Sequence, residues 1–352
     1  MAYTTINKST DYFNTLLYTG DGTSPKARTG VGFQPDWVWS KTRSSVKNHQ
    51  LIDSVRGADK TLQSNVTDAE GNQFSYGYLQ SFDSDGFTSI AGSSAPDNWN
   101  GNGTTYVAWN WKAGGGQGSS NTDGSINTTY TSVNTTAGFS ICYWSGTGAN
   151  ATIGHGLGAV PKIIITKSMA SVTSWCVYHA SLGNTKTIFL ESNGTGNTHV
   201  AYYNNTSPTS SVFTVGTDSG VNHSGNNMIA YCFAEKTGYS KFGSYTGNGN
   251  ADGTFVYTGF RPAWVMSKRT DSSDGWRMRD SKRDIDNPAQ HRLLANASDA
   301  EVSASSQDTD FLSNGFKIRN SDSGYNASGG TYIYMAFGQS LVGSNNIPCT
   351  AR

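Results

Sequence analysis

The chain has 352 residues, 25 of them basic and 25 acidic, so its formal net charge is zero and its pI lies near 7.0. That balance leaves no basic face to displace counterions from a phosphate backbone, which argues against DNA or RNA as a partner. Charged residues make up only 14% of the chain, against roughly 25% in ordinary soluble domains, and Gly, Ser, Thr and Asn carry the solubility instead.

From the N-terminus, MAYTTINKSTDYFNT shows no charged segment followed by an apolar one, so no secretory signal is expected and synthesis is assigned to a cytoplasm. No apolar run approaches the roughly 18 residues that a membrane span needs. The first unit then opens at YTGDG (Tyr18), passes through GFQPDWVWSK around Pro35, and turns at Ser84-Asp85-Gly86 between Phe82 and Phe87. It closes with TTYVAWNW at Trp111. A Gly/Ser/Thr/Asn stretch over 114–136 follows and reads as a linker, because its composition cannot bury a core. The second unit opens at YWSGTG (Tyr143), continues through GAVPKIIITK around Pro161 and closes with NNMIAYCF at Phe233. After the short KTGYSKFG, the third opens at YTGNG (Tyr245) and runs through GFRPAWVMSK around Pro262. It turns at Ser313-Asn314-Gly315 between Phe311 and Phe316 and closes with TYIYMAF at Phe337.

The distance from opening Tyr to Pro is 17, 18 and 17 residues, and from Pro to closing aromatic 76, 72 and 75. Such regular spacing is the signature of internal repeats. Within a unit the period is two: Trp37, Trp39 and Lys41, or Val265, Ser267 and Arg269, alternate as half-buried strands do, while Ile163 to Ile165 reads as fully buried. Both Phe-flanked turns have hairpin chemistry, Gly and Asn/Asp accepting positive φ. The fold class expected is all-β, with three homologous antiparallel β-sandwich domains in tandem and a jelly roll as the competing arrangement. The boundaries read as 1–113 (with a short N-terminal arm), a linker over 114–136, 137–236, a connector over 237–242, 243–340, and a tail over 341–352.

The set of YTGNG, GFxPxWVxxK, a GTYIYMAF-type tail and CFAEKTGYSKFGSYTGNG resembles repeat proteins of tailed phages of marine bacteria, cyanophages among them. The resemblance spans about Asp11 to Ala336. It implies a virion structural component exposed on the particle, and it supplies no catalytic motif. Relatives usually continue past the closing Ala-Phe with acidic and proline residues, whereas Phe337 here is followed by GQSLVGSNNIPCTAR.

Motifs for chemistry are sparse. None of the Lys-Thr pairs at Lys41, Lys60, Lys186 or Lys236 follows a glycine, and neither Gly-x-Ser-x-Gly nor His-Glu-x-x-His occurs. No cofactor is expected. His155, His179, His199 and His223 fall in the second unit, but none stands at a ligand-pair spacing, so they read as separate turn and strand residues. Asp83, Asp85, Asp308 and Asp310 read as hairpin residues, with a structural Ca²⁺ as the second reading. Asp53 with Arg56, and Asp280 with Arg283, read as salt-bridge clamps inside a unit, while the second unit carries His179-Ala-Ser-Leu182 in that place. Cys142, Cys176, Cys232 and Cys349 form no Cys-x-x-Cys pair and read as free thiols. The loop aromatics Trp99, Trp144 and Trp175 are the expected glycan or subunit contacts, whereas Trp37, Trp39, Trp109, Trp111 and Trp264 read as core.

The expected function is a non-enzymatic virion structural protein: a tail fibre or receptor-binding protein touching host surface polysaccharide. A head-decoration or capsid-fibre protein is the alternative, and a polysaccharide depolymerase the third reading. Expected partners are further copies of the chain, with a trimer for a fibre, and other virion proteins.

Overall fold

The computed structural model describes residues 4–95, 97–303 and 305–340. The first unit holds β1 (Phe13–Thr19), β2 (Lys26–Thr29), β3 (Trp37–Thr42), β4 (Gln50–Asp53), β5 (Tyr78–Asp83), β6 (Gly86–Ile90) and β7 (Thr105–Trp111). The second holds β8 (Tyr130–Asn134), β9 (Phe139–Ser145), β10 (Ala151–Gly154), β11 (Ile163–Ser168), β12 (Cys176–His179), β13 (Lys186–Phe189), β14 (Asn197–Thr198), β15 (Val212–Val215) and β16 (Asn227–Phe233). The third holds β17 (Ser240–Thr246), β18 (Phe255–Tyr257), β19 (Arg261–Arg269), β20 (Arg277–Asp280), β21 (His291–Leu294), β22 (Val302–Ser303), β23 (Thr309–Leu312), β24 (Gly315–Ile318) and β25 (Thr331–Gln339).

One strand order recurs. The large sheet is β1-β7-β3-β4 in the first unit, and the same order appears as β9-β16-β11-β12 and as β17-β25-β19-β20. Strands β13 and β14 extend the second sheet on one side and β8 on the other, while β21 and β22 extend the third. A small sheet faces each large one: β2-β6-β5, β10-β15 and β18-β24-β23. All named pairings are antiparallel, so the all-β sandwich architecture stands. The two Phe-flanked hairpins form with Phe82 opposite Phe87 and Phe311 opposite Phe316. Glycine is required at Gly86, where φ is +137° and a Cβ would sit 2.0 Å from the Arg28 carbonyl oxygen.

The strands read as half-buried are covered on both faces. All six residues of β3 are buried, and the period of two separates two different cores. Val38 and Ala108 point into the first sandwich with Ile52, Leu79, Phe87 and Trp99. Trp37, Trp39, Trp109 and Trp111 point the other way, into a core shared by all three units. There they meet Ile229, Tyr231 and Phe233 of β16 and Ile333, Met335 and Phe337 of β25. The closing aromatics converge in this core: Phe337 lies 5.8 Å from both Trp111 and Phe233, and Trp37 stacks on Tyr231 at 4.4 Å. Three sandwiches thus turn the outer faces of their large sheets inward and leave the small sheets outside.

The segment read as a linker is part of the fold. The backbone N–H of Ala113 just before it, and those of Gly115 and Gly116 within it, donate to the buried Asp36 carboxylate at 2.7–3.1 Å. Its Tyr130–Asn134 pairs in full register with β9, so backbone pairing anchors a stretch that has little apolar surface to bury. The connector likewise carries the start of β17, and its Tyr239 is buried. The tail over 341–352, with Cys349, lies outside the described residues.

Candidate functional site

Two places concentrate side-chain chemistry: the junctions between units and the outer face of the third small sheet. At the first junction Asp53 Oδ2 accepts Arg56 Nε at 2.5 Å and the Tyr231 hydroxyl of the second unit at 2.7 Å. Arg56 Nη1 continues to Glu70 Oε1 at 3.0 Å. The arrangement repeats where the third unit meets the first: Asp280 Oδ2 accepts Arg283 Nε at 2.5 Å and Trp109 Nε1 at 3.0 Å. Arg283 Nη1 pairs with Glu301 Oε2 at 2.9 Å, and Glu301 also takes Arg43 of the first unit at 2.7 Å. Each clamp therefore closes inside its unit and also fastens the neighbour.

In the second unit His179 does this work. Its Nδ1 accepts the Ser181 N–H at 3.1 Å, as Asp53 Oδ1 accepts that of Val55 and Asp280 Oδ1 that of Lys282. Its Nε2 therefore carries the proton and donates to the Tyr334 carbonyl of the third unit at 3.2 Å. A second set of bonds closes the same ring in the opposite sense. Trp175 Nε1 donates to the Gln63 carbonyl at 3.0 Å, Trp276 Nε1 to that of Phe189 at 2.8 Å, and His49 Nε2 meets that of Leu294 at 2.9 Å. The contacts close from first to second to third and back, a pseudo-threefold ring within one chain.

Three lysines next to last in the strands β3, β11 and β19 add a third set. Lys167 Nζ donates to the Thr67 carbonyl of the first unit at 2.9 Å, and Lys268 Nζ to that of Asn193 in the second at 3.1 Å. Lys41 Nζ donates to the Thr42 carbonyl at 2.8 Å and feels Asp299 and Glu301 of the third unit. Burial lowers all three to about 8.

These groups give the stability a defined pH profile. Burial holds His179 down at about 4 and also lowers His49 and His155, so below the ordinary imidazole value of 6.5 the unfolded chain binds more protons than the folded one. Stability is therefore lost as pH falls from 6.5 toward 4. For the lysines the unfolded chain again holds more protons, now between about 8 and 10.5, so stability rises with pH through that window. Buried Cys176 and Cys232 thiols, raised well above 9.0, oppose the rise once unfolded thiols ionise. Urea midpoints are expected in the order pH 5 below pH 7 below pH 9, with the last step reduced in Lys41→Met, Lys167→Met and Lys268→Met.

The tryptophans expected to touch glycans do not reach the surface. Trp99, Trp144 and Trp175 are each 0% exposed. Trp99 fills the first sandwich and Trp144 the second, while Trp175 lies in the shared core as a contact between units of the same chain. The four histidines of the second unit do not converge. His155 is buried with its ring bonded to Leu157 and Thr209, and His199 caps a short helix through Ala201. His223 bonds the next carbonyl, that of Ser224. Among the described residues no three His, Cys, Asp or Glu side chains group as a metal site. Asp83 accepts the Ser81 and Thr88 hydroxyls, and Asp85 the N–H groups of Gly30 and Gly32, so both carboxylates lock turns.

Of the second place, the sequence marked only Asp308 and Asp310 for chemistry. On the small sheet of the third unit Val256, Phe316 and Phe311 point into the sandwich. The alternate residues form an outward face of two rows: Phe255, Lys317 and Asp310, then Tyr257, Gly315 and Leu312. Phe255 is 44% and Tyr257 60% exposed. Gly315 leaves room for the Phe255 ring to lie against the sheet, since a Cβ there would meet the Val256 carbonyl at 2.1 Å and the Phe255 ring at 3.0 Å. The charges on this face pair with one another: Lys317 with Asp252 at 2.6 Å, and Arg319 with Asp252 and Asp310 at 3.4 and 3.5 Å. Beside β23 run two open grooves of about 480 and 660 Å³ that share Asn287. Asn287 is fixed by two bonds with the Phe311 backbone, and Asp308 and Asp310 line the larger groove.

The family described as "Domain of unknown function (DUF7483)" matches residues 8–340. No curated protein and no solved structure matches the chain.

Proposed function

Because the chain belongs to the DUF7483 family, whose description carries no activity, we propose a function from the architecture: a non-enzymatic structural protein of a tailed-phage virion, displayed on a surface appendage as a tail fibre or receptor-binding protein. The observation that carries this reading is the closed ring. Its ion pairs Asp53 with Arg56 and Asp280 with Arg283 are buried and consumed in holding units together. A block of this kind resists deformation and offers its outer sheet faces to partners. The threefold order expected of a fibre trimer is present within one chain, so one copy fills the place of three. The resemblance of the repeat motifs to those of marine phage proteins supports the same reading, as does a net charge of zero, which gives no basic excess for a nucleic acid.

Head decoration is the second reading. The observation favouring it is again the internal threefold, which matches three-subunit positions on a closed symmetric shell. Immunogold labelling of intact particles with an antibody against 243–340 separates the two. Label at the tail is the expected result, label spread over heads would establish decoration, and particles that carry no label would overturn both.

A further inference from the structure

We propose that the outer face of the third small sheet, built on Phe255 and Tyr257, is a binding face for neutral polysaccharide. The inference deepens the appendage reading and rests on it for access to a host glycan. Three observations on this face point to one class of ligand.

First, two aromatic rings stand two residues apart on one strand, roughly 7 Å along it, and both are open to solvent, with Gly315 giving the Phe255 ring room to lie against the sheet. That spacing is of the order of one hexopyranose unit, and the apolar C–H face of a sugar ring stacks on such rings. Second, the charged groups beside them are already neutralised as a Lys317, Asp252, Arg319 and Asp310 network. A face whose charges cancel offers no net field to an anionic polymer, yet its carboxylate and guanidinium edges still match adjacent sugar hydroxyls. Third, the face belongs to one unit alone. By register, the positions of Phe255 and Tyr257 hold Ala27 and Thr29 in the first unit, opposite Thr88 and Gly86. In the second they hold Thr152 and Gly154, flanking the Ile153–Phe213 pair. The aromatic pair is thus not something the sandwich requires.

The third observation also supplies the variant. Phe255→Ala with Tyr257→Thr copies the face of the first unit, and both side chains stand outside the cores, so the fold and its melting temperature are expected to stay unchanged. The probes are dextran, mannan, galactan and xylan as neutral polymers and alginate as the anionic comparison, each cast in native affinity gels with the full chain. The expected result is retardation by at least one neutral polymer, weakened at least tenfold in the double variant and retained in Tyr257→Phe. Retardation by alginate alone, retardation that the double variant keeps, or none with any neutral polymer would overturn the proposal. So would a concentration-dependent dimer that the double variant abolishes, because a second copy would then cover the face. Particle labelling with no polymer binding would sink this inference and leave the appendage reading standing.

Discussion

Trp37→Ala lowers the unfolding free energy by about 3–5 kcal/mol, and all three units report the loss together. Trp37 belongs to the first unit, yet its ring lies 4.4 Å from Tyr231 and 5.9 Å from Phe139 of the second, and 4.6 Å from Trp111 of its own. Removing it opens a cavity among packed aromatics that have no freedom to collapse. Trp37→Phe is expected to lose less, because the Trp37 indole N–H has no acceptor to forfeit. Val38→Ala, one residue on, empties only the first sandwich and is expected to cost less than Trp37→Ala. Tryptophan fluorescence and far-ultraviolet circular dichroism, followed through urea unfolding, are expected to shift by the same midpoint. A variant in which the first unit melts apart from the others would contradict a shared core.

Arg283→Met is expected to cost about as much, roughly 3–5 kcal/mol, because breaking a buried pair leaves its partner charges unsatisfied. Here Asp280, wholly buried, loses its cation, and Glu301 loses one of the two, Arg43 and Arg283, that hold it below the usual carboxylate value against the effect of burial. Arg56→Met removes the same cation from Asp53 and Glu70 and is expected to behave alike. His179→Leu is the internal comparison. It occupies the third equivalent place but is neutral, so its loss costs hydrogen bonds, about 1–3 kcal/mol with a buried acceptor left bare. Thermal denaturation of the three variants at pH 7 checks the order. A histidine variant less stable than either arginine variant would show that charge burial does not govern these junctions.

Strand content, hairpins and the threefold recurrence of motifs were legible because they depend on local pattern: alternation, Gly/Asn turns and spacing. What covers each strand face was not. Alternation in Trp37-Val38-Trp39 tells two faces apart but is silent on whether water or another unit lies beyond. The stretch over 114–136 looked like a linker because composition predicts apolar burial, whereas Tyr130–Asn134 is held by a backbone ladder with β9, and Gly115 and Gly116 by the Asp36 carboxylate.

The site reading failed where loop position was taken for exposure. Trp175 and Trp276 sit just before equivalent strands, and that recurrence marks a structural residue. The reverse signal went unused: Phe255 and Tyr257 differ from Ala27 and Thr29 at outward positions, where a difference between repeats frees a residue from fold and points to function. The position of His179 in the clamp was legible from the motif, but its role was not, because an imidazole replaces a carboxylate by geometry rather than by charge.

Scanning calorimetry of the intact chain distinguishes one ring with one shared core from three independent sandwiches. A single transition is expected, with a van't Hoff enthalpy equal to the calorimetric enthalpy, which tandem domains rarely show. Two or three resolved transitions, or a van't Hoff enthalpy near a third of the calorimetric value, would mean three sandwiches folding independently and would contradict it.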